Sequence, residues 1–181
     1  MIDWATTKLF ITGSATEIQQ FRSDCIKDYL DDGYEDTRLD FEALVPTPAV
    51  FLKHFEDLDN RISSVPPLVD GLNWYDWRRK FWGTKWNSHA LQEISFNNEF
   101  YQCIFDTPWC CPGPIIAAIA KKYPSFEGTT ETSDWSDMTM HVGSFANGVF
   151  LENQEEYELE DESEELEDDE LDDEAAKVEP L

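Results

Sequence analysis

Apolar and polar positions near the start of the chain follow first a strand pattern and then a helix pattern. The segment Trp4–Thr12 is rich in β-forming residues, which predicts a strand. Ser14 and Glu17 then stand at the spacing of a capping box. Apolar residues recur after them at intervals of three and four positions, at Ile18, Phe21, Cys25 and Tyr29. We therefore expect an amphipathic helix over residues 15–30.

The next third of the chain is divided by polar and proline-containing segments. Residues 31–38 are polar and predict a loop, whereas residues 39–45 begin with apolar and polar residues in alternation and predict a short strand or an extended lead-in. Residues 48–58 place their apolar side chains on one side of a short helix. A second loop is expected over residues 63–71, which contain two prolines.

Residues 73–87, NWYDWRRKFWGTKWN, form the most unusual stretch of the sequence. Asn73 is a favoured capping residue, and Gly83 is typical of a helix end. This stretch therefore predicts a helix that runs to about Trp82.

The remaining segments complete an α+β pattern. We expect strands over 88–94, 100–105, 126–133, 138–144 and 149–151. The pairs Asn97-Asn98 and Asn147-Gly148 are typical of hairpin turns, and a helix between Pro112 and Pro124 joins the second strand to the third. The element order predicts a ferredoxin-like antiparallel sheet with helices packed on one face, in a domain spanning residues 1–153.

Charge changes the picture at the end of the chain. The 181 residues carry a net charge of −26, and residues 152–181 contain 17 acidic residues against one base, Lys177. We predict that residues 154–181 are disordered, because repulsion opposes compaction and little apolar area is available to bury. Such a tail can bind a basic surface, and the partner-binding residues are expected within its most acidic part: Glu164, Glu165, Asp168, Asp169 and Glu170.

Composition and charge also exclude several classes of protein. Hydrophobic residues make up 41% and aromatic residues 14% of the chain, which is enough for a buried core. The negative charge disfavours non-specific binding to nucleic acid by the chain as a whole. The sequence has no apolar run of membrane-spanning length and no signal-peptide pattern, so we expect a cytoplasmic protein without membrane contact.

Four blocks of sequence resemble the YubB ferredoxin-like domain family, an uncharacterised group from bacteria, plasmids and phages. The most specific block is W-Y-D-W-R-x-x-x-W-G-T-K-W-N at 74–87, and L-D-F-x-x-L-V-P-x-P at 39–48 is similar to a second. The other two are the opening strand that ends in T-G and F-D-T-P-W-C-C-P at 105–112, which precedes the helix ending K-K-Y-P. The resemblance covers about residues 4–151. It implies a ferredoxin-like fold and a mobile-element setting in a bacterial host cell, and it implies no established activity.

The 74–87 block combines basic and aromatic side chains at close spacing. Exposed aromatic rings can stack on a base while arginine and lysine bind a phosphate, which predicts a site for a nucleotide or single-stranded nucleic acid. The expected ligand-binding residues are Trp74, Tyr75, Arg78, Arg79, Lys85, Trp86, Asn87 and His89. A structural interpretation stays open beside this one, with Trp77 and Phe81 in the core and the bases on a solvated helix face. Docking of the acidic tail on this patch is a third interpretation.

Cysteine and histidine spacing gives little sign of a metal centre or of catalysis. Cys110 and Cys111 are adjacent, and no second pair stands at the short spacing of zinc sites. We therefore predict no metal and no cofactor, and buried structural roles for Cys25 and Cys103. The sequence also lacks the P-loop, dinucleotide and zinc-protease motifs, so an enzymatic function, such as nucleotide processing, has the least support.

Two functions remain. The first is a non-enzymatic binding protein of a phage or plasmid whose acidic surface and tail engage a basic host or defence protein, as a nucleic-acid mimic or inhibitor. The alternative is a nucleotide- or single-stranded nucleic-acid-binding module that uses the 74–87 block. The oligomeric state is left open by both.

Overall fold

The structure, a computed structural model, describes residues 3–31, 33–62, 65–134 and 139–156. The helices and strands of these residues follow one another in this order: β1 (Trp4–Thr12), α1 (Ala15–Cys25), β2 (Ile26–Asp31), β3 (Tyr34–Leu39), α2 (Phe41–Leu44), α3 (Ala49–Asp59), α4 (Trp74–Phe81), β4 (His89–Phe96), β5 (Phe100–Pro108), α5 (Gly113–Lys122), β6 (Glu127–Asp134), β7 (Thr139–Ala146) and β8 (Val149–Glu156).

The sheet topology is that of a ferredoxin-like fold with an extension. Strands run in the order β4-β5-β1-β6-β7-β8, and every neighbouring pair is antiparallel. Helix α1 lies between β1 and β4 in the chain, and in the sheet these two strands are separated only by β5. Helix α5 lies between β5 and β6, which are separated only by β1. The hairpin β7–β8 extends the sheet beyond β6. This confirms the α+β, ferredoxin-like prediction.

The core lies between this sheet and the helices that cover one of its faces. Alternate side chains of β1 point into the core and are fully buried: Ala5, Thr7, Leu9 and Ile11. Facing them, α1 and α5 contribute their own buried side chains, among them Ile18, Phe21, Ile115 and Ile119. Successive side chains of β1 therefore point in turn to the helix-covered face and to the open face of the sheet.

Three local predictions between residues 26 and 45 are wrong. The helix predicted over 15–30 ends at Cys25, and Ile26–Asp31 forms β2, which pairs with β3 where a polar loop was predicted. These two strands lack the apolar alternation from which a strand is recognised in a sequence. Polar cross-strand contacts stabilise them instead, such as the 2.8 Å hydrogen bond from Thr37 Oγ1 to Asp28 Oδ1. The strand expected over 39–45 contains helix α2 instead, because the Asp40 side chain accepts a hydrogen bond from the Glu42 N–H and begins a helix there.

The end of the domain also differs from the sequence prediction. Strand β8 continues to Glu156 and pairs with β7, so three residues of the predicted tail belong to the sheet. The rest of the predicted tail lies outside the described residues, and with it the five predicted partner-binding residues: Glu164, Glu165, Asp168, Asp169 and Glu170. Within the described part of the chain, no helix has both the length and the apolar character that crossing a membrane requires.

Candidate functional site

Helix α4 and the segment that follows it form the wall between two clefts. The helix begins where Asn73 Oδ1 accepts hydrogen bonds from the Tyr75 and Asp76 N–H groups, as predicted. It is held to the core by Trp77 and by Trp82, whose indole N–H donates to the Val45 carbonyl at 2.8 Å. Because these two side chains are buried, the consecutive residues Arg78 and Arg79 face different clefts.

The first cleft, here called the Arg78 cleft, has a volume of about 400 Å³. It lies at the end of the sheet where β1 begins. Its lining combines two arginines and one carboxylate with three indole rings and a histidine: Trp4, Arg38, Glu42, Arg78, Trp82, Trp86, Asn87, Ser88 and His89. The cleft therefore offers stacking surfaces and cationic hydrogen-bond donors side by side.

Arg78 is buried with few hydrogen bonds for its charge. Its guanidinium lies 4.4 Å from the Trp82 ring centre, and its side chain is 15% exposed. The contacts to Glu42 Oε1, Thr47 Oγ1 and the Lys85 carbonyl measure 3.4–3.5 Å, and the buried Nε has no partner. Burial lowers the pKa of Arg78, although Glu42 opposes that effect. An anion in the cleft would supply shorter hydrogen bonds to this guanidinium than these long contacts provide.

A buried carboxylate, that of Asp36, binds two residues that line the Arg78 cleft, Arg38 and His89. Asp36 accepts hydrogen bonds from Arg38 Nε, from His89 Nδ1 at 2.7 Å and from the Ala90 N–H at 2.9 Å. Burial by itself raises the pKa of Asp36, but these hydrogen bonds outweigh burial and hold it below its usual value. Because the carboxylate only accepts, Nδ1 of His89 carries a proton, while the ring stacks on Trp4 at 5.4 Å.

The second cleft, here called the Arg79 cleft, has a volume of about 280 Å³. Its lining contains two bases, two aromatic rings and no carboxylate: Tyr75, Arg79, Gly83, Thr84, Lys85, Pro108, Trp109 and Cys110. Arg79 is exposed and lies against Tyr75, whose hydroxyl accepts from Nη1 at 3.4 Å. This hydrogen bond raises the pKa of Arg79 further. The Arg79 cleft is therefore a local positive surface on an acidic protein.

Trp86 connects the two clefts. Its ring lines the Arg78 cleft and packs against Trp109 of the Arg79 cleft, with centroids 5.9 Å apart. The Lys85 ammonium lies 4.3 Å from the Trp86 ring centre and 5.6 Å from that of Trp109. A base that stacks on either ring would thus lie beside a cation.

Seven of the eight predicted ligand-binding residues line these clefts. Arg78, Trp86, Asn87 and His89 line the first, and Tyr75, Arg79 and Lys85 line the second. Trp74 is in neither lining, because its ring packs edge-on against Phe55 at 5.5 Å.

Asn87 lines the Arg78 cleft, but its amide is already used within the fold. It accepts from the Phe41 and Ser88 N–H groups and donates to Asp40. We therefore assign Asn87 a positioning role, in which it holds the segment after α4 against helix α2.

The predicted set lacked several side chains that matter at the clefts, among them Trp4, Arg38 and Trp109 in the linings and Asp36, which binds Arg38 and His89. Asp36 and Arg38 belong to the stretch that was predicted to be a loop, and Trp4 and Trp109 lie far from the 74–87 block in the chain. The aromatic–proline block at 105–112 was the available signal for Trp109, since it places a tryptophan directly after a strand.

The open face of the sheet is less suited to an anionic ligand. The six strands, as far as the structure describes them, contain a single lysine or arginine, Lys8, and its Nζ is paired with Glu131 at 3.2 Å. Phe10 and Phe100 lie side by side on this face, with centroids 5.9 Å apart, but no unpaired base accompanies them among the described strand residues. The cationic and aromatic groups therefore occur together at the clefts.

Comparison with known proteins places these features in a family context. The model of the family described as "Ferredoxin-like domain in Api92-like protein" matches residues 81–179, more than half of the chain. The crystal structure of a protein api92 from Yersinia pseudotuberculosis is similar with a TM-score of 0.51 and 10% sequence identity, over 87% of this chain and 99% of that chain. At 10% sequence identity, this similarity concerns the fold alone. No curated protein matches the sequence.

Proposed function

The chain belongs to the family of the ferredoxin-like domain in Api92-like proteins, and from that premise we propose that it is a binding protein for a small aromatic anion of the nucleotide class. The observation that carries this proposal is the position of two bases, Arg79 and Lys85, beside the neighbouring rings of Trp86 and Trp109. Phosphate oxygens match the donors of arginine and lysine, and a nucleobase matches the indole faces.

Charge favours a short ligand over a long nucleic acid. The whole chain carries −26, so a polyanion that extends beyond the clefts meets repulsion from the rest of the protein. A mononucleotide brings few charges and can lie entirely within the clefts, whose volumes of about 280 and 400 Å³ are near the lower range of small-molecule sites. We assign the phosphate to Arg79 and Lys85 and the base to Trp86 and Trp109.

We expect saturable binding of a nucleoside monophosphate and a loss of affinity of about 100-fold or more in the double variant Arg79→Gln/Lys85→Gln, because each of the two charged hydrogen bonds contributes about 1.5–3 kcal/mol. The measurement is calorimetric titration of the full chain with AMP, GMP, CMP and UMP, with adenosine and inorganic phosphate as partial ligands. Quenching of tryptophan fluorescence gives a second readout, since Trp86 and Trp109 lie at the site.

The matched control is Lys27→Gln/Lys53→Gln, which removes two exposed lysines outside both cleft linings and changes net charge equally. It should leave affinity within about twofold, because these exposed lysines are outside the linings and salt screens their charge. An equal loss in both double variants, or no saturable binding of any of the four monophosphates at millimolar concentration, would contradict the proposal. Tighter binding of a decanucleotide than of the monophosphates would redirect it to single-stranded nucleic acid.

A second candidate function is supported by the acidic composition of residues 152–181, with 17 acids and one base. In this proposal the protein is a non-enzymatic inhibitor or nucleic-acid mimic from a phage or plasmid, and its acidic segment binds a basic host or defence protein. This proposal includes a narrower relationship to the YubB domain family, which would place the protein in a mobile element. A complex of this kind must weaken as ionic strength rises, whereas the nucleotide proposal requires the 74–87 block and not the acidic segment.

A further inference from the structure

Three side chains that bind metals in other proteins converge at the start of helix α5, and none of them belongs to the lining of either cleft. They are Cys111, His141 and Glu152, and one ligand atom from each lies within 4.8 Å of the other two. The Cys111 thiol donates to Glu152 Oε1 at 2.9 Å, and the same oxygen lies 3.4 Å from His141 Nδ1. The three ligand atoms are therefore close enough to one another to bind a single metal ion.

The fold brings these residues together through strand register. Glu152 on β8 is directly opposite Gly143 on β7, two residues from His141, so the histidine and the carboxylate are diagonal neighbours on one face of the sheet. Cys111 reaches the same point from the segment between β5 and α5. Gly113 leaves room for the carboxylate, because a Cβ at this position would lie 2.8 Å from Glu152 Oε2.

The geometry points to a zinc-binding site formed by Cys111 Sγ, His141 Nδ1 and Glu152 Oε1. Sulfur, imidazole nitrogen and carboxylate oxygen together are the donor set that Zn²⁺ takes in proteins. A thiolate and a carboxylate also balance the two positive charges of the ion. Glu152 is exposed and the other two residues are half-buried, so the fourth tetrahedral position is open to water.

The groups around the sulfur fit this role. Thr132 Oγ1 donates to Cys111 Sγ at 3.4 Å, and the Gly113 N–H donates to the same sulfur. Such donors stabilise a coordinated thiolate and orient it. The Cys111 thiol, which donates to Glu152, loses its proton when zinc binds, because the thiolate is the form that coordinates the metal.

We expect the metal-free full chain to bind one equivalent of Zn²⁺, and to bind Co²⁺ with the near-ultraviolet absorption of a cobalt–thiolate bond. Cys111→Ser should abolish that absorption and weaken zinc binding by about 100-fold or more, since a first ligand matters at least as much as the outer groups that contribute about 10–100-fold. His141→Gln and Glu152→Gln should each weaken zinc binding while leaving the folded circular dichroism spectrum unchanged. Calorimetry with Zn²⁺ and absorption with Co²⁺ measure these effects.

Cys110→Ser is the matched control, because it removes the adjacent thiol, which is not part of the cluster. It should retain both the stoichiometry and the cobalt–thiolate absorption. The carboxylates of residues 152–181 can hold Co²⁺ without producing a thiolate band, so the absorption separates the proposed site from the acidic segment. The absence of that band in the unsubstituted chain, or its persistence in Cys111→Ser, would overturn the proposal, and neither result bears on nucleotide binding.

Discussion

Phe21→Ala is expected to lower the free energy of unfolding by about 3–5 kcal/mol, as deletion of a large buried aromatic side chain does. Phe21 is fully buried on α1, and three rings surround it edge-on: those of Tyr101, Tyr123 and Phe126, at 5.6, 5.7 and 6.0 Å. Alanine forfeits these contacts and leaves a cavity between helix and sheet. Because domains of this size are stable by about 5–15 kcal/mol, this loss is a large fraction of the total stability.

Urea denaturation followed by circular dichroism measures this loss. Tyr34→Ala is the control, since Tyr34 is 79% exposed on β3 and its removal should cost less than about 1 kcal/mol. If the two variants lose similar stability, Phe21 does not have the central place in the core that its three ring contacts indicate.

Gly83→Ala should destabilise the fold by about 2–5 kcal/mol, for two separate reasons. The backbone of Gly83 has φ +82°, a left-handed conformation that costs an L-residue about 1–2 kcal/mol. In addition, a Cβ there would lie 2.8 Å from the Cys111 carbonyl oxygen and 2.9 Å from Pro114 Cδ, and relieving such overpacking costs about 1–3 kcal/mol more. Since Gly83 lines the Arg79 cleft, we also expect weaker nucleotide binding in this variant.

Gly71→Ala separates the two contributions. Gly71 has a similar φ of +79°, but a Cβ at this position would meet no atom within 4 Å, so only the conformational cost of about 1–2 kcal/mol remains. The difference between the two variants in urea unfolding measures the close approach of Gly83 to the segment before α5. Equal destabilisation would show that this segment moves away without cost.

Strong local signals allowed much of the fold to be predicted. Asn73 begins α4 through its side chain, as its position before the helix suggested, and Asn147-Gly148 turns the β7–β8 hairpin with positive φ at both residues. The hairpin β2–β3 was missed because its strands are short and polar and are stabilised by cross-strand contacts rather than by an apolar alternation. Helix α2 was missed because four residues are too few to show a helical period.

Only the part of the candidate site that comes from the 74–87 block and its neighbour His89 could be predicted from the sequence. The 74–87 block supplied six of the seven predicted cleft residues and His89 follows it closely, since basic and aromatic residues stand close together in this part of the sequence. Their counterparts Trp4, Arg38 and Trp109 come from other elements, and no spacing connects them to the block. The cluster of Cys111, His141 and Glu152 was likewise not expected, because its members are separated by 30 and 11 positions, unlike the short spacings of recognisable zinc motifs.

The sequence by itself determined the order of most helices and strands, the concentration of negative charge beyond residue 152 and the presence of one basic and aromatic block. These properties depend on neighbours along the chain, through side-chain periodicity, capping and composition. Tertiary structure alone decided that Arg78 is buried against Trp82 while the adjacent Arg79 faces solvent. Sheet order and strand register likewise brought His141 and Glu152 to Cys111, because contacts between distant segments depend on how whole elements pack, which local pattern does not encode.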